Sequence, residues 1–424
     1  MRTRSSPWVL MLAAAGILAI TMGIRQSLGL FVLPIVAATG VSYSAVSFAL
    51  AIGQFVWGAV QPAAGVVADQ VGAHRVLIAG ALLIATGAAL APGSSSELGF
   101  SASLGLLIAS GTAAGSFAIL IGVTAKSLPS HKRSLASGYI NAGGSLGQLF
   151  FAPFTGYVIG RSGWSTGMLA ISIAALLTIP LAWLFRGAGT KSGAGQRGAG
   201  ESVAEIAKSE DGARTGSAHV RLSEQLRIAA RDRSYLFLHA GFFTCGFHIA
   251  FLVTHLPGEV QMCGLPVSVA ATSLGIIGVC NFFGSIFVGW LGGRYRMKNI
   301  LAVLYASRAL VIAIYLVMPK TALNVYLVAG ALGFSWLATV PPTAGIVGKL
   351  FGTRYLTTLF GLTLLSHQIG GFLGAWLGGV AMAQLGSYRW IWLADMGLAL
   401  FAAFINVPIR EAAPGRFAEQ AGPA

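Results

Sequence analysis

The chain has 424 residues, of which 55% are hydrophobic and only 9% charged, against about 25% charged in an ordinary water-soluble protein. With 57 glycines and a mean hydropathy of +0.77, it carries more apolar surface than a soluble fold can hide, which excludes a soluble enzyme and requires that the apolar runs face lipid. The formal net charge of +15, from 27 Lys and Arg against 12 Asp and Glu, would suggest nucleic acid in a soluble protein, so its meaning depends on where the charges sit.

A helix needs roughly 20 mostly apolar residues to cross the hydrocarbon core. Runs of that kind, bounded by charge, Pro or Gly, lie at 8–34, 43–68, 76–92, 101–124, 134–158, 165–185, 236–257, 266–291, 299–318, 323–348, 355–380 and 389–409. Lipid offers backbone groups no partners, so all twelve are expected to be helices. The first run follows Arg2 and Arg4 as a secretory signal would, but continues through Arg25 to Pro34 without a convincing cleavage site and is expected to be retained. Residues 186–235, rich in Gly, Ser, Ala and charge, divide the runs six and six and read as a mostly disordered linker. Its end, Val220 to Arg233, sets Val220, Leu222, Leu226 and Ala229 among basic residues, a pattern open to a short helix on anionic lipid or to a plain connector. The expected organisation is an N-terminal six-helix bundle over 1–185, the linker, a C-terminal bundle over 236–410 and a tail over 411–424. Cys245, Cys263 and Cys280 lack metal-ligand spacing and read as small core residues, with neither disulfide nor metal.

The basic residues orient the chain. Arg2, Arg4, Arg75, Lys126, Lys132, Arg133, the linker cluster, Arg294, Arg296, Lys298, Lys349, Arg354, Arg410 and Arg416 all fall on one side if the N-terminus is inside. The positive-inside rule then places both termini and the linker in the cytoplasm, in a multi-pass protein of the cell membrane. The positive charge is therefore mainly an orientation signal, and nucleic acid is not an expected partner.

The two halves repeat at a shift of 223. Arg25 precedes Pro34 by nine residues, as His248 precedes Pro257, and Gly147, Ala152, Gly156 and Gly163 recur as Gly370, Ala375, Gly379 and Gly386. Two parallel repeats imply a central mid-membrane site between them that opens alternately to each side. The loop Gly65-Val66-Val67-Ala68-Asp69-Gln70-Val71-Gly72-Ala73-His74-Arg75 and its degenerate copy Gly289-Trp290-Leu291-Gly292-Gly293-Arg294-Tyr295-Arg296 resemble the loop signature of the major facilitator superfamily, the resemblance covering essentially the whole chain. It implies an all-α membrane protein with twelve transmembrane helices in two pseudo-symmetric six-helix bundles, and a cytoplasmic gate at Asp69, Arg75 and Arg294. The copy lacks the Asp, and Gln70 and Ala73-His74 depart from the usual basic pattern. Within the superfamily, Gly23–Gly29, Cys245–Phe251, His255–Pro257 and Ser366–Gly370 most resemble the bacterial monocarboxylate porter and oxalate:formate antiporter group. That group commonly places a substrate-binding Arg in helix eight and sometimes a Lys in helix eleven; here those helices offer Asn281 and His367, so its carboxylate clamp does not carry over intact.

Ionisable residues inside a membrane are costly and mark a pathway or a compensating partner. The spans hold Arg25, His248, His255, Arg308, His367 and Asp395, with His239 nearer one end, and no carboxylate in the middle of the helices expected to line the cavity. Such a cavity favours an anion, since a guanidinium stays protonated and grips a carboxylate through two hydrogen bonds. Arg25 and His248, at matching register, are the leading substrate-site candidates, with Asn141, Gln148, Asn281 and His367 as further ones and Gln54 among the neutral candidates. Arg308 and Asp395 lie in helices nine and twelve, peripheral by resemblance, and are expected to pair structurally. The reading is a secondary transporter of small organic anions, mainly monocarboxylates, working by proton symport or anion exchange, as a monomer in lipid and without a cofactor. An efflux carrier for amphipathic compounds and a non-transporting membrane sensor are the alternatives.

Overall fold

The computed structural model describes residues 7–126, 130–186, 222–352 and 355–411; most of the linker and the C-terminal tail lie outside them. Among the described residues the chain is helical throughout, without strands. In the first half, α1 comprises Pro7–Ser27, a 3-10 turn over Leu28–Phe31 and the piece Val32–Thr39. It is followed by α2 (Tyr43–Val71) and α3 (Ala73–Leu90). The fourth span, α4, starts at Glu97–Phe100, passes through a π-helical stretch over Ser101–Ile108, and resumes after a break as Phe117–Lys126. A single helical stretch, Ser130–Leu176, is interrupted at Gly163 (φ 83°, ψ 167°), which separates α5 from α6; Thr178–Trp183 completes α6.

In the second half, a short amphipathic helix, Leu222–Arg231, precedes α7 (Arg233–Met262) and α8 (Val267–Gly292). Then come α9 (Met297–Val317), α10 in two pieces (Ala322–Phe334 and Val340–Phe351), α11 (Leu356–Leu385) and α12 (Arg389–Asn406). Eight of the helical stretches are long and apolar enough by themselves to cross a membrane; α5 and α6 run on as one of these, and α10 is broken near its middle.

Lipid tails are as apolar as the helix surfaces, so close packing of small residues has to hold the spans together. The glycines of the repeat do this twice over. A Cβ at Gly147 would stand 2.0 Å from the Ala19 carbonyl, fixing α5 on α1, and one at Gly370 would stand 2.0 Å from the Phe243 carbonyl, fixing α11 on α7. The repeat also extends to the turns, where Gly163 and Gly386 both take positive φ (83° and 60°), as do Gly40 and Gly264 (70° and 75°), conformations that a side chain disfavours.

Between the halves, α2 lies against α11 and α5 against α8 in two antiparallel seams. On the first, Ser47 sits within contact of Gly379, Gln54 of Gly371 and Gln368 of Gly58; on the second, Ala271 meets Gly156 and Ser145 meets Gly278. Further along, the seams part: Gly65 and Gly361, opposite each other on the first, and Gly289 on the second have open space at the Cβ position. Gly147→Ala should accordingly lower stability by roughly 1–3 kcal/mol through overpacking, whereas Gly361→Ala should not. Thermal unfolding of the two purified variants checks this, and equal melting temperatures would contradict the packing account.

Candidate functional site

Near the middle of the membrane, α1 stops being α-helical at Ser27 and tightens into its 3-10 turn. The turn lets Gly29 approach α7 so closely that a Cβ there would lie 2.0 Å from the Val253 carbonyl. Arg25 sits one turn before this crossing. Its guanidinium lies 4.2 Å from the centroid of the Trp57 ring and donates to Gln54 Oε1. Gln54 and Trp57, at i and i+3 on α2, present one face to it. Together with Thr112 of α4 and Val253 and Thr254 of α7, Arg25 and Gln54 line a cavity of about 20 Å³, room for about one water.

Among the described residues no carboxylate pairs with Arg25, whose only partners are a neutral amide and an aromatic face. Neither cancels a full positive charge in a poorly solvated setting. The cavity is too small for an organic anion, which needs the walls to part.

On one side of this level the halves are tied by a buried polar cluster. Tyr43, at the start of α2, bonds Tyr388 Oη at 2.6 Å and His255 Nδ1 at 3.0 Å; His255 Nε2 donates to the Ala375 carbonyl at 2.7 Å. With Nε2 carrying the hydrogen, Nδ1 is an acceptor and the Tyr43 hydroxyl donates to it. Phe48 reinforces the closure against Phe372 and Trp376, at 5.9 and 6.0 Å between centroids. The opposite side is where both seams part.

A model of the Major Facilitator Superfamily matches residues 11–375. The chain belongs to the major facilitator superfamily. It is a multi-pass membrane transporter and not an enzyme. It is 24% identical over 383 residues to monocarboxylate transporter 13 of Rattus norvegicus, covering 90% of this chain and 83% of that one. It is 23% identical to the oxalate:formate antiporter of Oxalobacter formigenes over 385 residues, 89% of this chain and 86% of the relative. Among solved structures, the D-xylose-proton symporter superposes with a TM-score of 0.71 at 14% identity, covering 95% of this chain and 98% of that one, and so shares the superfamily fold.

Of the residues singled out in the transporter sequence, only Arg25 and the neutral candidate Gln54 line the cavity. His248, at the matching register of α7, does not face Arg25. Its Nδ1 lies 2.5 Å from Asp395 Oδ2 inside the second half. This overturns the expected Arg308–Asp395 pair, because the two side chains make no bond to each other. Arg308 instead donates through Nε to Ser335 Oγ at 3.2 Å, through Nη2 to the Trp336 carbonyl at 2.8 Å, and to the Ser335 carbonyl. The physical reason is the break in α10, which leaves the carbonyls at the end of its first piece free and negative, and the guanidinium caps them. Helix depth alone gave no sign of that break.

Asn281 is also occupied by structure. Its Oδ1 accepts from the Leu337 amide at 3.0 Å, and its Nδ2 reaches Ser145 Oγ across the seam at 3.5 Å. Gln148 is buried beside Gly278 on that seam, while Asn141, one turn beyond Ser145, is exposed where the seam parts. His367 packs its ring 5.0 Å from Phe242, within α7–α11 packing. At the gate loops, Arg75 is exposed and Arg294 lies 3.9 Å from the Trp290 ring centroid; the Asp69 side chain lies outside the described residues. Sequence reading passed over Trp57, Tyr43 and Tyr388. Trp57 was detectable as an aromatic one turn from a membrane-embedded Gln, but the tyrosines sit at helix ends, where such residues are ordinary interface anchors.

Tyr43→Phe removes both hydroxyl bonds of the cluster, worth roughly 1–1.5 kcal/mol together, and should shift the transporter toward opening on that side about tenfold. The measurement is maleimide labelling of Thr254→Cys, in a background without Cys245, Cys263 and Cys280, applied from the Tyr43 side. An unchanged rate would remove the cluster's role as a gate.

Proposed function

We propose that this transporter carries small organic anions, chiefly monocarboxylates, by alternating access, and that Arg25 binds the carboxylate. The observation that carries the reading is a cavity-lining guanidinium with no carboxylate partner, held by Gln54 and Trp57 at the level where α1 crosses α7. A fixed cation held on an aromatic face keeps two donors available for a carboxylate, and a bidentate grip would also fix the anion's orientation. Two of the similar proteins are named for transport of monocarboxylates and of oxalate and formate, which supports the substrate class from a separate direction.

The distribution of basic residues supports a reading in which the end at which the seams part faces the cytoplasm and the Tyr43–His255–Tyr388 cluster faces outward. The conformation then corresponds to a carrier sealed outside. Substrate exchange with the cytoplasm follows loosening of the walls around Arg25, and exchange with the exterior requires the tyrosine cluster to break and the parted ends to close. Asp69 in the last turn of α2, Arg75 in the first turn of α3 and Arg294 just after α8 stand at those ends and are the groups that would meet on closure.

The test is uptake of radiolabelled lactate, pyruvate and oxalate into proteoliposomes. Arg25→Ala should lower uptake roughly a hundredfold, the scale of losing a charge-assisted bidentate contact. Arg25→Lys, which keeps the charge but not the fork, should retain part of it. Wild-type uptake by Arg25→Ala would remove Arg25 from the site. A melting temperature that a neutral compound raises and the carboxylates do not would remove the anion class altogether.

A further inference from the structure

The second half contains a buried ionisable group that the anion site does not use. His248 and Asp395 are 1% and 0% exposed, joined at 2.5 Å between Nδ1 and Oδ2, and each has a further polar atom, His248 Nε2 and Asp395 Oδ1, without a hydrogen-bond partner. A pair serving only to hold α7 on α12 would be expected to satisfy all its atoms, since an unpaired buried acceptor costs about 1–3 kcal/mol. With Nδ1 donating to the carboxylate, Nε2 carries a lone pair, so the neutral arrangement leaves two acceptors facing no donor. Neither residue lines a cavity described above, which excludes any ligand that needs volume.

We propose that the His248–Asp395 pair is the proton-binding site of the transporter, taking up one proton for each anion carried; this rests on the anion reading above. The proton comes from water on the side to which the protein is open and adds to the lone pair of His248 Nε2. The pair becomes an imidazolium held by a carboxylate, with the Nδ1–H bond to Oδ2 retained, and the same proton leaves from Nε2 on the other side. No other bond is made or broken.

The neighbours set the charge balance. Against the pair, α10 contributes the Trp336 ring, 6.1 Å from that of His248, and Arg308 of α9 bonds the Trp336 carbonyl; the other titratable groups on these elements are Tyr305 of α9, under Arg308, Cys245 of α7, bonded to Thr339, and His367 of α11, against Phe242. His255, with Tyr43 and Tyr388, stands about two turns outward along α7, and Glu259, bonded to Tyr315 at 3.0 Å, about three. Arg308 and Asp395 cancel when His248 is neutral. Adding a proton leaves one positive charge, the complement of one monocarboxylate, so loading both together moves no net charge through the bilayer. The link between the sites is α7, which carries His248 and, five and six residues on, Val253 and Thr254 of the Arg25 cavity wall.

Two measurements test this on the full-length transporter. Infrared difference titration of purified protein in nanodiscs, over about pH 5 to 9, should show a one-proton step. That step should be missing from both His248→Gln and Asp395→Asn; a step unchanged in both variants, or no such step in the wild type, overturns the proposal. In proteoliposomes, an inward proton gradient of one pH unit should drive about tenfold accumulation of radiolabelled lactate or pyruvate for a one-to-one symport. Asp395→Asn should abolish the accumulation while the purified variant still unfolds in a single cooperative thermal transition. Accumulation retained by Asp395→Asn refutes the site even if anion transport stands. If the wild type carries none of the anions, the substrate reading fails by itself and the infrared titration still decides the proton site.

Discussion

Backbone contact between helices of the same half is the constraint from which the rest follows. In lipid there is no hydrophobic gain from bringing two apolar helices together, so α1 on α5 and α7 on α11 depend on glycines that let carbonyls approach a neighbouring Cα. Contacts this short allow no sliding. They fix the depth and rotation of α1 and α7, and with them the positions of Arg25 and His248. The same device sets Gly29 of α1 against Val253 of α7, which makes the crossing of the first helices of the two halves a direct backbone contact and places the Arg25 cavity beside it.

The seams between the halves are built differently. Within each half, the shortest glycine contacts meet backbone at about 2 Å; on the α2–α11 seam the near contacts at Gly58 and Gly379 are with the side chains of Gln368 and Ser47, and on the α5–α8 seam Gly278 meets the Ser145 carbonyl only at 2.9 Å. Contacts that are longer or end in side chains able to rotate make the seams the surfaces able to part, and the tyrosine cluster holds one end of them through hydrogen bonds that water can replace. A rigid half and a separable seam are the mechanical requirements of alternating access, and here both trace to which residue faces each glycine.

Much of this was legible in the sequence. The scarcity of charge, the twelve apolar runs and the shift of 223 led to the fold, because hydropathy and glycine placement are the same quantities that decide it in lipid. Arg25 and Gln54 were legible as polar residues inside spans. What could not be read were pairings that depend on rotation about a helix axis. His248 occupies the register of Arg25 but turns toward Asp395. Asp395 and Arg308 have matching depth, yet the break at Ser335–Thr339 draws the guanidinium to α10 carbonyls. Asn281, a cavity candidate by composition, is taken by the Leu337 amide at that same break.

The two arginines inside the spans therefore differ in kind. Arg308 is surrounded by carbonyl dipoles, with Asp395 in the same half to balance it, and its charge is accounted for within the fold. Arg25 has a neutral amide and a ring, and the first half offers its guanidinium no counter-charge among the described residues. A fold that needed the cation only for stability would be improved by replacing it with an apolar side chain of similar volume, since burying an ion costs several kcal/mol that its attraction to neutral groups does not return. Retaining an unbalanced charge beside the one place where the halves cross is intelligible if the balance arrives with the cargo. On that view the energetic deficit at Arg25 is what gives the anion its affinity.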